Sequence, residues 1–300
     1  MERGAVSMFE LKLGKQEEIH EIQGDLARIT GLSNQELIAL PFHFLTPDAN
    51  HQGLTVTELY RRDGKSIPVH WMRQGEKIFG EEIFGKRAEK YRLGFQVMLF
   101  ESLAFTAEHG DPDLLRHLKR VAAYVKFLAS EYLKLDFANV YRFMAAALIH
   151  DVGKSSIPRE ILFRPSQLSP EERKLVESHT TNGYDILHWV ETLVTDQMPW
   201  LVDGQTFKLA MDVALLHHEN WNGTGYPMQH KAEEIPVIAR VVKVADVIDA
   251  LLSPRPYKLP WAWETTKKEL QKLADVEFDA SIVSWLIDHE QSFLDSAKNF

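Results

Sequence analysis

An apolar run near the middle of the chain ends in an adjacent histidine and aspartate, His150 and Asp151, followed by Gly153 and Lys154. Both His150 and Asp151 would be costly to bury without a partner. A metal ion would pair with both at once, and imidazole and carboxylate suit borderline first-row metals such as iron, manganese and zinc. The pattern therefore indicates a metal-dependent site at the end of a buried helix.

Four more potential ligands lie beside apolar helical runs further along the chain: His179, His217, His218 and Asp246. Asp246 falls in the interior of an apolar helical run, where a carboxylate needs a partner. A single helical histidine is usually an ordinary core or surface residue, but so many together argue against that interpretation here. The histidines without such neighbours are interpreted as ordinary: His20, His43, His51, His70 and His289.

The composition of the 300 residues, 45% hydrophobic and 26% charged, is typical of a globular protein with a sizeable core. The net charge of −9 argues against general binding to nucleic acid polymers. The absence of cysteine excludes disulfides, thiolate zinc sites and cysteine nucleophiles. No apolar run reaches the roughly 18 residues of a membrane span, and the N-terminus has no signal-peptide core. We expect a cytoplasmic protein that binds no membrane.

Residues 1–85 predict a small α+β module. Within it we expect strands at Phe9–Leu13, Leu54–Tyr60 and Ser66–Trp71, the last two forming a hairpin around an Asp-Gly turn, and a helix at Glu17–Ile29. Gly31 ends that helix and Ser33 caps the next one. Residues 75–90 are charged and lead into a connecting helix. The segments 29–48 and 59–71 faintly resemble a PAS sensor domain, although the segment after Asp48 is too short for a full one. An unrelated adaptor module is the alternative.

Residues 86–300 predict an all-helical region, so the fold class is mainly α. Asp111 with Pro112, and Ser169 with Pro170, are cap-plus-proline starts of helices. The expected helices are Tyr91–Glu108, one from Pro112, Phe137–His150, one from Pro170, Thr180–Leu193, Gln205–His218, one from Pro236 to Leu252, Ala262–Leu273 and Asp279–Ala297.

Five motifs in order, HDVGK, IPREIL, HTTNGYDIL, HHENWNGTGYP and ADVIDALLSPRPYK, resemble those of the HD-GYP family. The resemblance covers roughly residues 100–260. It implies an all-helical HD-superfamily domain at 86–300 and a binuclear or trinuclear metal centre, often iron, with manganese as the alternative. It also implies hydrolysis of cyclic di-GMP to pGpG and onward to GMP.

Carried over residue by residue, the resemblance places the metal ligands at His117, His150, Asp151, His179, His217, His218 and Asp246. In three-metal members, a glutamate one helical turn before the first histidine adds a ligand. Asp113 stands at that position and is shorter. Two metals are therefore expected rather than three.

The implied chemistry assigns roles to several residues. A water shared by two metals gives hydroxide at neutral pH, with Asp151 as the bridging carboxylate. Lys154 would stabilise charge on the phosphoryl oxygens, unless it is only a solvated lysine at a helix end. Tyr226, in the Gly-Tyr-Pro loop, is expected to contact the substrate. Arg255 and Lys258 would contact a second phosphate or a guanine edge, unless their segment is a plain surface loop.

Two departures from the family pattern leave other functions open. Asn222 replaces the usual aspartate and Ile248 a common aromatic residue, while Asp249 is retained and could orient a ligand. The first alternative is a weakly active or inactive domain that senses cyclic di-GMP or binds a partner protein. The second is hydrolysis of another phosphoester, such as a different cyclic dinucleotide. Signalling partners of the N-terminal module and a homodimer through residues 91–108 also remain open.

Overall fold

The computed structural model describes residues 8–15, 18–38, 41–42, 53–60, 66–74, 76–82, 85–107, 111–164, 166–197, 202–254 and 259–297. The chain divides into two compact units, with the main break between Arg92 and Leu93. This break falls inside a helix, Gly85–Ala107. The domain boundary expected after residue 85 stays a prediction.

The first unit is built on an antiparallel sheet of five strands. In chain order these are β1 (Met8–Leu13), β2 (Ile19–Gly24), β3 (Gly53–Tyr60), β4 (Ser66–Gln74) and β5 (Lys77–Glu82), and they lie side by side in the order β2-β1-β5-β4-β3. Two short helices, α1 (Leu26–Thr30) and α2 (Asn34–Leu37), follow β2. Buried side chains from the sheet and both helices, such as Leu11, Leu26, Leu37 and Ile78, form a separate core.

Most local signals in this unit are confirmed. The predicted strand at Phe9–Leu13 is β1, and the two hairpin strands are β3 and β4, which pair Tyr60 with Ser66. The turn predicted between them lies outside the described residues. Gly31 ends α1 with a φ of 73°, and Ser33 forms a capping box with Glu36 at the start of α2. The PAS resemblance includes residues outside the described ranges and stays a prediction.

The helix predicted over Glu17–Ile29 is wrong, because its first half is the edge strand β2. Ile19, Ile22, Leu26 and Ile29 have helical spacing, but the first two belong to β2 and the last two to α1. β2 pairs with β1, placing Ile22 opposite Leu11. Pairing with a neighbouring strand overrides the local helical pattern here, as often happens in sheets.

Residues 75–90 lead into a helix as expected, since Gly85–Ala107 is helical, but they also contain a strand that was not predicted. Lys77–Glu82 form β5, which lies between β1 and β4 near the middle of the sheet. Ile78 is fully buried and pairs with Leu11. The charged residues around Ile78 concealed the strand, since only its pairing with distant segments reveals it.

The second unit is all-helical in the part that the structure describes. After α3 (Gly85–Ala107) come α4 (Pro112–Phe127), α5 (Phe137–Leu148), α6 (Arg159–Leu162), α7 (Pro170–Glu177), α8 (His179–Gln197), α9 (Gly204–Leu216), α10 (Val237–Leu252), α11 (Trp263–Leu273), α12 (Ala280–Asp288) and α13 (Glu290–Ala297). Across the described residues, every helix falls short of the length and apolarity that a bilayer crossing requires.

The two cap-plus-proline helix starts in this unit are confirmed, whereas the helix expected from Tyr91 begins at Gly85 and the C-terminal helix is divided. Asp111 caps α4, and Ser169 forms a capping box with Glu172 at the start of α7. The single helix expected over Asp279–Ala297 is broken at His289 into α12 and α13. The break lets α13 bury Phe293, whose ring lies 5.1 Å from that of Tyr124 on α4.

One large apolar core holds α4, α5, α8, α9 and α10 together. Its fully buried members include Val121, Ala146, Leu187, Val213 and Val244, one from each of these helices. This packing brings together the residues that follow α5 and α9, the first residue of α8 and the inner faces of α4 and α10.

Candidate metal centre

Two groups of possible metal-binding side chains lie side by side in the helical unit. The first donor group is Asp151, His179, His217 and His218, and the second donor group is His117, His150 and Asp246. Within each group the donor atoms lie within 4.8 Å of one another. Together these groups contain all seven of the predicted ligands.

Five separate elements supply these side chains. His117 lies on α4 and Asp246 on α10, His150 and Asp151 directly follow α5, His179 begins α8, and His217 and His218 follow α9. Helix ends are suitable positions for ligands because a side chain there can leave the helix axis while the apolar body of the helix stays in the core.

Asp151 is the residue that faces both donor groups. Its Oδ2 lies 3.2 Å from Nε2 of His150, while its Oδ1 lies 3.4 Å from Nε2 of His179 and 3.7 Å from Nε2 of His217. One carboxylate oxygen is thus directed to each group. This is the geometry that the predicted bridging role of Asp151 requires.

Four of the imidazoles use Nδ1 for a hydrogen bond that fixes the ring. His150, His179 and His217 donate from Nδ1 to the main-chain oxygens of Ala147, Val176 and Val213, respectively. His117 donates from Nδ1 to the carboxylate of Asp249. A neutral imidazole with its proton on Nδ1 has a lone pair on Nε2. These four rings therefore direct Nε2 toward the donor groups as potential ligands.

The chemistry of the donor set fits a bound cation. Nε2 of His150 and Oδ1 of Asp151 are buried without a hydrogen-bond partner among the described residues. Nε2 of His179 and Nε2 of His217 face each other at 3.5 Å. Two lone pairs at that distance repel each other unless a cation or a proton lies between them. Metal ions in the two donor groups would satisfy all four atoms.

The charges in the site are strongly coupled. Burial alone would raise the pKa of Asp151, but the cations of Lys154 and His150 hold it well below its ordinary value. Burial acts to lower the pKa of His150, yet the Asp151 carboxylate outweighs it and raises this pKa to about 9. Burial lowers the pKa of His179 to about 4 and that of His218 well below its ordinary value.

Gly153 and Lys154 lie in a 3-10 turn, Val152–Ser156, that packs against the start of α8. A Cβ at Gly153 would lie 1.8 Å from the main-chain oxygen of His179, so only glycine fits. Lys154 forms an ion pair with Asp151. Its ammonium group therefore lies at the edge of the first donor group.

The Gly-Tyr-Pro loop closes over the first donor group from one side. The ring of Tyr226 stacks on the imidazole of His218, and burial raises the pKa of its hydroxyl. The Tyr226–Pro227 peptide bond is cis. A Cβ at Gly225 would lie 2.3 Å from the main-chain nitrogen of Asn220, so the loop turns back over its own beginning.

A buried glutamate, Glu219, anchors this loop, and it was not predicted as a site residue from the sequence. Oε1 of Glu219 accepts hydrogen bonds from the main-chain nitrogens of Met228 and Gln229, at 2.6 and 2.9 Å. Glu219 is 1% exposed. Its position directly after His218 could have indicated this role, because an acidic residue at a buried helix end needs a polar partner.

The two residues that depart from the family pattern lie outside both donor groups. The side-chain oxygen of Asn222 accepts hydrogen bonds from the backbone nitrogen and the hydroxyl of Thr224. This is an Asx turn, which a neutral amide forms as an aspartate would. Ile248 is fully buried in the core.

Asp249 has the ligand-orienting contact that the sequence suggested. Its carboxylate accepts the Nδ1 hydrogen bond of His117 and two hydrogen bonds from the guanidinium of Arg120. Burial acts to raise the pKa of Asp249, but the hydrogen bonds from His117 and Arg120 outweigh it and lower the pKa. Arg120, which lies one turn after His117, was not predicted to have a role at the site.

Asp113 lies away from both donor groups. Its side chain is 82% exposed and forms an ion pair with Arg116. No contact of Asp113 with a potential ligand is seen among the described residues. Arg255 and Lys258, predicted to contact the substrate, lie outside the described residues.

The chain matches one protein family and several individual relatives. A family profile described as HD domain matches residues 102–282. A probable cyclic di-GMP phosphodiesterase of Vibrio cholerae is 34% identical over 287 residues, which cover 91% of this chain and 62% of that protein. A cyclic di-GMP phosphodiesterase of Thermotoga maritima is 32% identical over 223 residues, covering 73% of this chain and 56% of that protein.

A third relative has a different named substrate. The 3'3'-cGAMP-specific phosphodiesterase 2 of Vibrio cholerae is 32% identical over 196 residues, covering 65% of this chain and 35% of that protein. The chain thus spans less than two thirds of the length of these curated relatives.

Proposed function

Because the chain belongs to the HD-domain family and has the HD-GYP motifs in order, we propose that it is a metal-dependent phosphodiesterase. The proposed reaction is hydrolysis of cyclic di-GMP to pGpG and onward to GMP. The observation that carries this proposal is the pair of donor groups that share the carboxylate of Asp151. Two adjacent cation sites are the arrangement that in-line phosphoryl hydrolysis uses.

The HD domain implies a divalent metal, and we propose that two ions bind, one in each donor group. The donor set contains imidazoles and carboxylates and no thiolate, which suits iron or manganese. We propose iron as the native metal and manganese as a substitute. A third ion is not part of the proposal, because the carboxylate of Asp113 pairs with Arg116 at the surface.

The chain's own residues would divide the work as follows. Two divalent ions, when bound, supply Lewis acidity and make water nucleophilic near neutral pH. Asp151 fixes the spacing of the two donor groups. The ammonium of Lys154 would move from Asp151 toward the phosphoryl oxygens and stabilise their charge. Tyr226 stays protonated because its pKa is raised, so its hydroxyl can donate a hydrogen bond to substrate.

Substrate recognition is proposed from the sequence and from the relatives. We propose that Tyr226, Lys154, Arg255 and Lys258 contact the dinucleotide, with Arg255 and Lys258 meeting the second phosphate or a guanine edge. Two relatives are named as cyclic di-GMP phosphodiesterases, which supports this choice of substrate.

A second substrate class is favoured by one specific observation. A relative that covers 65% of this chain is named as specific for 3'3'-cGAMP. Hydrolysis of another cyclic dinucleotide is therefore the second candidate. The sensor or scaffold role is weaker, because a domain without catalytic demand could lose ligands, and all seven potential ligands are present here.

The first unit is proposed as a separate input module that meets a signal or a signalling protein. The Vibrio relative covers 91% of this chain, so its similarity extends into that unit. The domain limits 1–85 and 86–300, a homodimer and a cytoplasmic location remain predictions from the sequence.

One anaerobic experiment tests the proposal. Purified protein is loaded with ferrous or manganous ion, its metal content is measured by elemental analysis, and cyclic di-GMP or 3'3'-cGAMP is added. Two metals per chain, with pGpG or GMP formed and no product from an Asp151→Ala control, would support the proposal. Two metals with tight dinucleotide binding and no product would favour a sensor. Turnover of 3'3'-cGAMP alone would favour the second candidate.

A further inference from the structure

One imidazole differs from the others in what holds it in place: that of His117, in the second donor group, donates Nδ1 to a side chain, whereas His150 of the same group donates to the main chain. In the first group, His179 and His217 donate Nδ1 to main-chain oxygens of Val176 and Val213, at 2.6 and 2.9 Å. These acceptors belong to the helical backbone just before each histidine. The orientation of both rings is therefore set by main-chain geometry, which no single side-chain substitution elsewhere removes.

His117 in the second group is held by side chains instead. Its Nδ1 donates to Oδ2 of Asp249 at 2.7 Å, while its Nε2 lies 3.3 Å from Oδ1 of Asp246. Asp249 is 1% exposed and is itself held by Arg120, whose Nε and Nη2 donate to its two oxygens at 2.6 and 3.0 Å. Oδ2 of Asp249 thus accepts from both His117 and Arg120.

Arg120 determines where the Asp249 carboxylate points. A bidentate guanidinium fixes the plane of the carboxylate as well as its position. Without Arg120, Asp249 would be a buried anion held by His117 and the Ser253 hydroxyl, with freedom to rotate. His117 would then lose its fixed ring orientation, whereas the main-chain hydrogen bonds of the first group would persist.

We propose that Arg120 and Asp249 are positioning residues that set the metal occupancy of the second donor group alone. The chain would then hold an ion in the first donor group when the second is empty, and it would load its two ions separately. This inference rests on the proposed binuclear function, since it divides that centre into two sites of different dependence.

The test is a manganous ion titration of the full chain under anaerobic conditions, with metal per chain measured at fixed free ion. Arg120→Ala and Asp249→Asn should lower affinity for one of the two ions by about 10–100-fold and leave the other unchanged. The electron paramagnetic resonance spectrum should change from that of a coupled ion pair to that of an isolated ion. Arg120→Lys, with one point charge instead of a fork, should have an intermediate affinity.

Arg142→Ala is the matched control. Arg142 donates from Nε to the carboxylate of Asp203 at 2.7 Å, in an ion pair that is also largely buried and lies outside both donor groups. Its loss should cost stability but leave two ions per chain. Circular dichroism shows whether each variant is folded. If Arg120→Ala is not folded, the metal titration of Arg120→Lys tests the proposal instead.

Three results would overturn the inference. The first is that the Arg120 variants bind both ions with unchanged affinity. The second is that these variants lose affinity for both ions equally. The third is that Arg142→Ala loses as much metal affinity as Arg120→Ala. Failure of the proposed function is recognised separately, because the wild-type protein itself would then bind fewer than two ions.

Discussion

The ring of Tyr226 lies flat against the imidazole of His218, with centroids 4.8 Å apart and an angle of 20° between the planes. A potential substrate-binding side chain is thus placed directly on a potential metal ligand. The stack links the conformation of the Gly-Tyr-Pro loop to the first donor group.

Replacing Tyr226 should separate these two roles. Tyr226→Phe keeps the stack and loses a hydrogen bond of about 0.5–1.5 kcal/mol, so KM for the dinucleotide should rise by about two- to tenfold at unchanged metal content. Tyr226→Ala also removes the stack, which contributes about 0.5–1.5 kcal/mol, and should raise KM further. Steady-state kinetics and elemental analysis check this. An unchanged KM in both variants would remove Tyr226 from the substrate site.

The anchor of the same loop gives a second prediction. Glu219→Gln keeps an acceptor for the nitrogens of Met228 and Gln229 but loses the charge, so each hydrogen bond should weaken by about 1 kcal/mol. We expect a higher KM, with kcat and metal content less affected, and a larger effect for Glu219→Ala. Glu234 accepts from the main-chain nitrogen of Lys231 in an exposed turn, so Glu234→Gln is the control and should change little. Equal effects of Glu219→Gln and Glu234→Gln would contradict the prediction.

Loss of a ligand from the first donor group should reduce both metal content and turnover. For His179→Ala we expect metal affinity at least about tenfold lower and hydrolysis reduced accordingly. His188, on the same helix, stacks on Tyr184 and belongs to neither donor group. His188→Ala should therefore keep both metal and rate. A His179→Ala protein with full metal and full rate would show that the site is misassigned.

Metal affinity should depend on pH because of His150. Its pKa is raised to about 9, so at neutral pH a metal ion must displace one proton from it. His179, with a pKa of about 4, is already neutral there and releases none. The affinity of the second donor group for its ion should thus rise about tenfold per pH unit and level off above about pH 9. Manganous ion titrations at several pH values between 6 and 9 give the dissociation constants from which this slope is obtained. An affinity independent of pH would mean that His150 is neutral before metal binds.

Gly153→Ala tests the contact between the 3-10 turn and α8. The new methyl group would meet the main-chain oxygen of His179, and overpacking of this kind costs about 1–3 kcal/mol in the free energy of unfolding. Gly94 on α3 has open space around its Cα, so Gly94→Ala should instead stabilise by about 0.5–1 kcal/mol. Urea unfolding of the two variants gives both values. Similar stabilities would show that the turn can move away from α8.

The candidate ligands stand out in the sequence because their residue types are rare in apolar helices. His150, Asp151 and Asp246 stand out without any knowledge of what they face. Contacts between distant segments were not predictable in this way. Arg120 and Asp249 are separated by 129 positions, and no local pattern indicates that they pair.

Strand β5 escaped prediction for the same reason. Lys77, Glu81 and Glu82 are charged while Ile78 is buried, and the strand exists because β1 and β4 supply hydrogen-bond partners on both sides. Local helix signals, by contrast, are complete in themselves. Asp111, Ser33 and Ser169 cap helices through contacts within three residues, and all three were predictable.

The seven potential ligands come from five stretches of chain that are far apart in sequence, between His117 and Asp246. A cation in the first donor group would therefore link α5, α8 and α9, and one in the second would link α4, α5 and α10. Since such binding adds to folding stability with the logarithm of the ratio of ion concentration to Kd, chelation should lower the melting temperature as well as stop hydrolysis. Metal supply would then govern the lifetime of the folded protein together with its turnover.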